Sequence, residues 1–186
     1  MNTSRTPFLF GLFLFLLVSG GTLPVLADSR NGSQVSGGVM TEKFVAELVA
    51  DVQEGHTVET TASGRAEFEV VENGAGLAYT ITVSGLEGAY MSHLRLGKSA
   101  EQHGSLVVWL WPTNRKPIEG KKERYDGLLA SGVIHAKDLT GILTKKKIAD
   151  LLVAIREGKV DADIHTRHHM PGELRGVLVK AEEPSH

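Results

Sequence analysis

The sequence predicts a mainly β fold, a sandwich or barrel of antiparallel strands, with one amphipathic helix near residues 145–157. Several segments alternate apolar and polar residues with a period of two, polar clusters rich in glycine separate them, and a single segment has a clear helical period. The 186 residues are enough for one domain with a substantial core. No repeat of about 20–50 residues is present, which argues against a solenoid or propeller.

A hairpin across residues 65–84 is the most specific local prediction. Apolar residues occupy alternate positions of Arg65–Val71 and again of Leu77–Ser84, as expected of two half-buried strands. Between them, Asn73 and Gly74 favour the positive φ angles of a tight turn.

Further segments of strand character follow along the chain. They are Phe44–Val52, Met91–Leu96, Leu106–Trp111, Leu128–His135, Val160–Thr166 and Glu173–Lys180. The first is ambiguous, because Thr41 could also start a helix there. Residues 112–126 are predicted to form a charged surface loop, with docking of an acidic partner as the alternative.

The helix is predicted over Lys145–Glu157, with Thr144 as its N-cap and Gly158 as its C-terminal stop. One face of this helix is apolar, at Ile148, Leu151, Leu152 and Ile155. We expect that face to close one end of the β core.

The N-terminus has the pattern of a secretory signal. Arg5 precedes the apolar run Phe8–Val18, and Val25 and Ala27 are small or apolar residues that suit a cleavage site after Ala27. The apolar run is shorter than the roughly twenty residues that a membrane-spanning helix needs. A retained anchor reaching Ala27 stays open as the alternative.

Composition excludes several classes of function. The formal net charge of −2 lacks the basic excess of a nucleic-acid-binding surface. The chain contains no cysteine, so disulfides, cysteine-ligated zinc sites and thiol nucleophiles are ruled out.

Eight histidines raise the possibility of a copper or zinc site. His93 lies on a predicted strand, but the next residue on its face is Arg95, which cannot bind a metal. In the tract that starts at His165, His168 and His169 fall in the following loop, so the tract does not direct three ligands to one point.

Other polar residues suggest structural roles. Asp161 and Asp163 alternate on a predicted strand and are expected to form a solvated face. Glu173 and Arg175 share a strand face, which predicts cross-strand ion pairing or hydrogen bonding to loop backbone. No GxSxG, phosphate-binding or dinucleotide-binding motif is present, so we assign no catalytic or cofactor-binding residues.

The chain also resembles a known module, the CHRD domain first described in chordin. The matching segments, in order, are Val58–Ala66, Leu77–Leu86, Ser92–Gly97, Gly104–Val108, Ile164–Thr166 and Pro171–Gly176. They span about residues 44–181, and the last, PGELRG, is the most specific. The sequence departs from the family pattern at Glu54–Thr57, which lacks the usual prolines, and at Arg95, where the family has a second histidine.

The resemblance implies an immunoglobulin-like, Greek-key β-sandwich or barrel with a faint likeness to copper/zinc superoxide dismutases. In those enzymes an HxH pair supplies copper ligands, so His93 and His165 are the candidate metal ligands here, while Arg95 breaks the set. The implied organisation is a signal peptide at 1–27, a flexible lead-in at 28–42, a CHRD-like domain at 43–182 and a tail at 183–186.

We therefore expect an exported, secreted or periplasmic, non-enzymatic β-domain that binds a protein or an envelope component and uses no cofactor. Nucleic acid is not an expected partner, and membrane contact is expected only if residues 1–27 are retained. Glu173 and Arg175 form the expected structural motif. The alternative is a copper- or zinc-binding or redox domain that uses His93 and His165.

Overall fold

The computed structural model describes residues 41–53, 55–97, 103–118 and 123–182. The predicted signal peptide at 1–27, residues 28–40 of the lead-in and the tail at 183–186 lie outside the described residues. Within them, no helix is both long and apolar enough to cross a membrane.

Strands dominate the described part of the chain. They are β1 (Lys43–Ala50), β2 (Val52–Gln53), β3 (His56–Thr57), β4 (Ser63–Val71), β5 (Gly76–Glu87), β6 (Ala89–Leu96), β7 (Ser105–Trp111), β8 (Arg124–His135), β9 (Val160–Thr166), β10 (Leu174–Val177) and β11 (Val179–Lys180). The helix α1 covers Ile148–Arg156.

One antiparallel sheet with the order β7-β6-β9-β10-β1-β4-β5-β8 forms the body of the domain. Strand β1 joins its two halves, because residues 43–48 pair with β4 whereas Val49 and Ala50 pair with β10. The two end strands, β7 and β8, approach each other. The Tyr79 hydroxyl on β5, the neighbour of β8, donates to the Leu110 carbonyl on β7 at 2.6 Å. The result is a nearly closed, barrel-like sheet, which confirms the predicted fold class.

The apolar core lies inside this sheet. It includes the fully buried side chains of Phe44, Phe68, Ile81, Leu94 and Ile164. Because alternate residues of β1 are buried from Phe44 onward, this segment is a strand, and the helical alternative for it is wrong.

The predicted hairpin between β4 and β5 is confirmed. Asn73 has φ 53° and Gly74 has φ 89°, so the turn uses the left-handed backbone region that these two residues favour.

The predicted start of the helix is wrong. Lys145 has φ 64° and the first helical residue is Ile148, so Thr144 lies too far upstream to cap the helix; its hydroxyl donates backward to the Gly141 carbonyl at 2.8 Å. Helix α1 starts at Ile148, and the Asp150 carboxylate accepts from the Lys147 backbone N–H at 2.8 Å. The predicted apolar face is buried, and Gly158 has φ 66° beyond the last turn, as expected.

Several other boundaries differ from the sequence prediction. The segment predicted as one strand over Phe44–Val52 is divided into β1 and β2. Strand β8 starts at Arg124, inside the predicted charged loop. The segment predicted as one strand over Glu173–Lys180 is divided into β10 and β11, and the residue between them, Leu178, is fully buried.

We predict that Gly176→Ala destabilises the domain by about 3 kcal/mol, because a Cβ at residue 176 would lie 2.2 Å from the Glu47 carbonyl oxygen of β1. The two atoms nearest to this Cβ, the carbonyl oxygen and carbon of Glu47, belong to the backbone, so the strands themselves would have to separate. Chemical denaturation of both proteins measures the change.

The matched control is Gly158→Ala, where nothing lies within 4 Å and only the φ of 66° opposes the substitution, at a cost of about 1 kcal/mol. Equal losses in the two variants would contradict the close-approach explanation.

Candidate functional site

Polar residues cluster on the face of β6, β9 and β10 that is opposite the apolar core. We call this the outer-face cluster, and it consists of His93, Arg95, Asp161, Asp163, His165 and Arg175. Every residue of β9 is buried, so both of its faces are covered. The prediction that Asp161 and Asp163 form a solvated face is therefore wrong, since they are 3% and 0% exposed.

Loop backbone covers this face. The Met170 carbonyl accepts from His165 Nδ1 at 2.8 Å, and the Gly104 carbonyl accepts from Arg95 Nη1 at 3.3 Å. The Tyr90 hydroxyl donates to the same Met170 carbonyl at 3.0 Å, which fixes the loop over the strands.

Asp163 is the centre of the cluster. Its Oδ1 accepts from both the backbone N–H and Nδ1 of His93, each at 3.1 Å. Its Oδ2 accepts from Arg95 Nε at close range and lies 3.2 Å from His165 Nε2. Burial alone would raise the pKa of Asp163, but the hydrogen bonds from His165 and His93 and the charges of His165 and Arg95 lower it far below its usual range. The carboxyl group is therefore ionised.

His93 is neutral in this setting. Burial lowers its pKa, and the hydrogen bond and charge of Asp163 only partly oppose that effect. With Nδ1–H donating to Asp163, the lone pair is on Nε2, which is buried and has no hydrogen-bond partner among the described residues. The ring meets Trp109 edge to face, with centroids 4.5 Å apart.

His165 has the opposite protonation preference. Burial would lower its pKa, but the hydrogen bond and charge of Asp163 and the bond to the Met170 carbonyl outweigh burial, so the pKa is raised. Both ring nitrogens face acceptors, at 2.8 Å for Nδ1 and 3.2 Å for Nε2. This geometry favours the imidazolium form.

Arg175 and Asp161 form a two-point ion pair across β10 and β9, with both N–O distances at 2.9 Å. Burial raises the pKa of Asp161, and the hydrogen bonds and charge of the Arg175 guanidinium oppose that rise. A guanidinium that donates to both oxygens of a carboxyl group requires the ionised carboxylate. The sequence predicted that the Glu173 and Arg175 motif would form an ion pair or bond to backbone. Glu173 accepts instead from the hydroxyls of Thr60 at 2.6 Å and Thr166 at 2.5 Å.

The remaining described histidines lie apart from the cluster. His168 is exposed and His169 is half-buried, in the loop where the sequence placed them. His103 Nε2 lies 3.2 Å from the buried carboxylate of Asp51, a pair that the sequence did not predict because its members are far apart in the chain.

The sequence also did not predict that Asp163 is the centre of the outer-face cluster, although its alternation with Asp161 and His165 was visible.

The metal expected under the alternative prediction does not fit these residues. One ligand atom each from His93, Asp163 and His165 lies within 4.8 Å of the others. However, Arg95 Nε contacts Asp163 Oδ2, and Arg95 Nη2 lies 3.4 Å from His165 Nε2. A divalent ion would compete with a permanent cation for Asp163 Oδ2, because a guanidinium stays charged and donates only, and it would have to displace the proton of His165 Nε2.

The fold and the cluster thus define a barrel-like β domain with a covered, charge-compensated polar face. The CHRD domain family matches residues 44–178, and the chain belongs to this family. Domains of this family are typically extracellular or secreted. No curated protein and no solved structure matches the chain.

We predict that Arg175→Ala destabilises the domain by about 3–5 kcal/mol, because it leaves the buried Asp161 carboxylate without its partner. Arg65→Ala is the control, since Arg65 also pairs with carboxylates from a strand but is 46% exposed, and it should cost less than about 1 kcal/mol. Denaturant unfolding compares them. Similar losses for both would disprove the buried-pair account.

We predict that the stability difference between the wild type and His165→Gln depends on pH. The folded-state pKa of His165 is raised above the unfolded value, so its charge stabilises fully below about pH 6.5. That contribution is lost as the pH rises through the folded-state pKa. Thermal denaturation from pH 6 to 9 should therefore show the difference in melting temperature shrinking. A difference that stays constant over this range contradicts the imidazolium assignment.

Proposed function

We propose that this CHRD domain is exported to the periplasm or beyond and acts as a non-enzymatic module that binds a protein or an envelope component. The observation that carries the proposal is the pairing of Arg95 with Asp163, because it compensates the central buried carboxylate inside the domain. A second guanidinium, that of Arg175, does the same for Asp161.

A catalytic group has to touch its substrate. Asp163 is 0% exposed and His93 is 1% exposed, and loop carbonyls cover the outer-face cluster. Its chemistry serves to hold β6, β9 and β10 together under the loops. This favours a role for the exposed surface over a role for the buried polar groups.

Strand β8 offers the best surface for a partner. It is one end of the strand order and pairs with β5 alone among the described strands. It also exposes 65% of Leu128 and 42% of Val133. An end strand with exposed apolar side chains favours association with another chain. A groove of about 410 Å³ lies beside it and is lined by residues that include Val133, Trp109 and Lys137.

Export rests on different evidence. Arg5, the apolar run Phe8–Val18 and the site after Ala27 form the three-part pattern of a secretory signal. The usual extracellular setting of the family agrees with it.

We predict that a photo-crosslinking amino acid at Leu128 captures a discrete partner in intact cells, because the partner covers β8. The control position is Val153 on α1, which is 50% exposed but lies away from β8, and it should give no such product. Gel electrophoresis and mass spectrometry identify the products. The chain recovered from them should begin at Asp28.

Identical products from both positions, or none from Leu128, would refute binding through β8. An intact N-terminus on protein confined to the cytoplasm would refute export, independently of the crosslinking result.

A further inference from the structure

We infer that Arg95 occupies the place of a metal ion: its guanidinium is the resident cation of a His–Asp–His group and excludes divalent cations from it. This inference shares the Arg95–Asp163 contact with the proposed function but makes no use of strand β8. Its readout, zinc retention, can therefore fail without the crosslinking at Leu128 failing.

The first step is the arrangement of His93. Its Nδ1–H donates to Asp163 at 3.1 Å, and its Nε2 is a buried lone pair without a partner among the described residues. A histidine that binds a metal is oriented in the same way, since its second ring nitrogen donates to a carboxylate or a carbonyl. His93 therefore has the tautomer and the hydrogen-bond support of a metal-binding histidine.

The second step is the position of Arg95. Its three guanidinium nitrogens each have a contact: Nε with Asp163 Oδ2, Nη2 with His165 Nε2 at 3.4 Å, and Nη1 with the Gly104 carbonyl at 3.3 Å. The side chain is 19% exposed. The head group is thus fixed between Asp163 Oδ2 and His165 Nε2, the two atoms that a bound ion would have to reach.

The third step is the charge balance. The carboxylates of Asp161 and Asp163 face the guanidiniums of Arg175 and Arg95, so these two pairs are neutral without any added ion, and His165 in its imidazolium form brings a further positive charge. An ion of charge 2+ would bring excess positive charge into a group that is shielded from water, where repulsion between like charges is strong. Loss of the Arg95 charge reverses this balance and leaves Asp163 with histidine partners.

The fourth step is the backbone geometry. Residues 93 and 95 are two apart on β6, and they pair with Asp163 and Asp161 of β9 respectively. Side chains two apart on a strand share a face, so an imidazole introduced at position 95 would lie on the face of His93. It would also be shorter than the arginine that it replaces, which leaves room for an ion beside His165.

The test uses the full chain and zinc chloride alone. We expect wild-type protein to retain no stoichiometric zinc after gel filtration and to show the same melting temperature with zinc and with a chelator. Arg95→His should retain about one zinc per chain, and zinc should raise its melting temperature, since an ion that binds only the folded state stabilises it. Elemental analysis and thermal denaturation give the two readouts.

Two controls locate the effect. Arg156→His adds a histidine at an exposed arginine that also pairs with a carboxylate, and it should retain no zinc. Adding His165→Ala to Arg95→His should abolish the retained zinc, because it removes one ligand of the group.

Either of two results would overturn the inference: stoichiometric zinc in the wild type that is lost in His93→Ala, or a folded Arg95→His protein that retains none. If Arg95→His folds only with zinc, the inference is supported. If it folds under neither condition, Arg95→Gln decides, because it removes the charge but keeps donors; zinc retention supports the inference, and failure to fold or to retain zinc overturns it.

Discussion

The ionised carboxylate of Asp163 is the constraint on which the domain depends. It lies at 0% exposure inside a sheet, where an unpaired charge would be prohibitively costly. Arg95, His93 and His165 together keep it charged, and they come from the two adjacent strands β6 and β9. This requirement couples the register of these strands to the loop carbonyl that orients His165.

Closure of the barrel follows from a second, steric constraint. Strand β1 is shared by both halves of the sheet, and it approaches β10 so closely that position 176 has no room for a Cβ beside the Glu47 carbonyl. The last glycine of the PGELRG motif is explained by this contact. Arg175 of the same motif donates two hydrogen bonds to the Asp161 carboxylate. One short segment therefore both closes the sheet and compensates a buried charge.

These two constraints shape the functional argument. A covered cluster with paired charges has little capacity to act on a substrate, whereas β8 presents apolar side chains at the end of the sheet. Arg95, where a second histidine was expected from the sequence, makes the cluster an ion-pair network centred on Asp163. The same residue therefore bears on both the proposed function and the inferred exclusion of divalent cations.

Local pattern by itself determined the strand character of most segments, the Asn73-Gly74 turn, the apolar face of α1 and the family, because each depends on neighbours in sequence. The local pattern did not determine where α1 starts. Thr144 was the expected N-cap, but its hydroxyl donates backward to the Gly141 carbonyl. Only the tertiary structure decided that the outer face of β9 is buried. A solvated face and a covered face can show the same alternation of polar residues, as at Asp161, Asp163 and His165. Whether that face is buried depends on the loops and the strand register, which bring residues together that are distant in sequence.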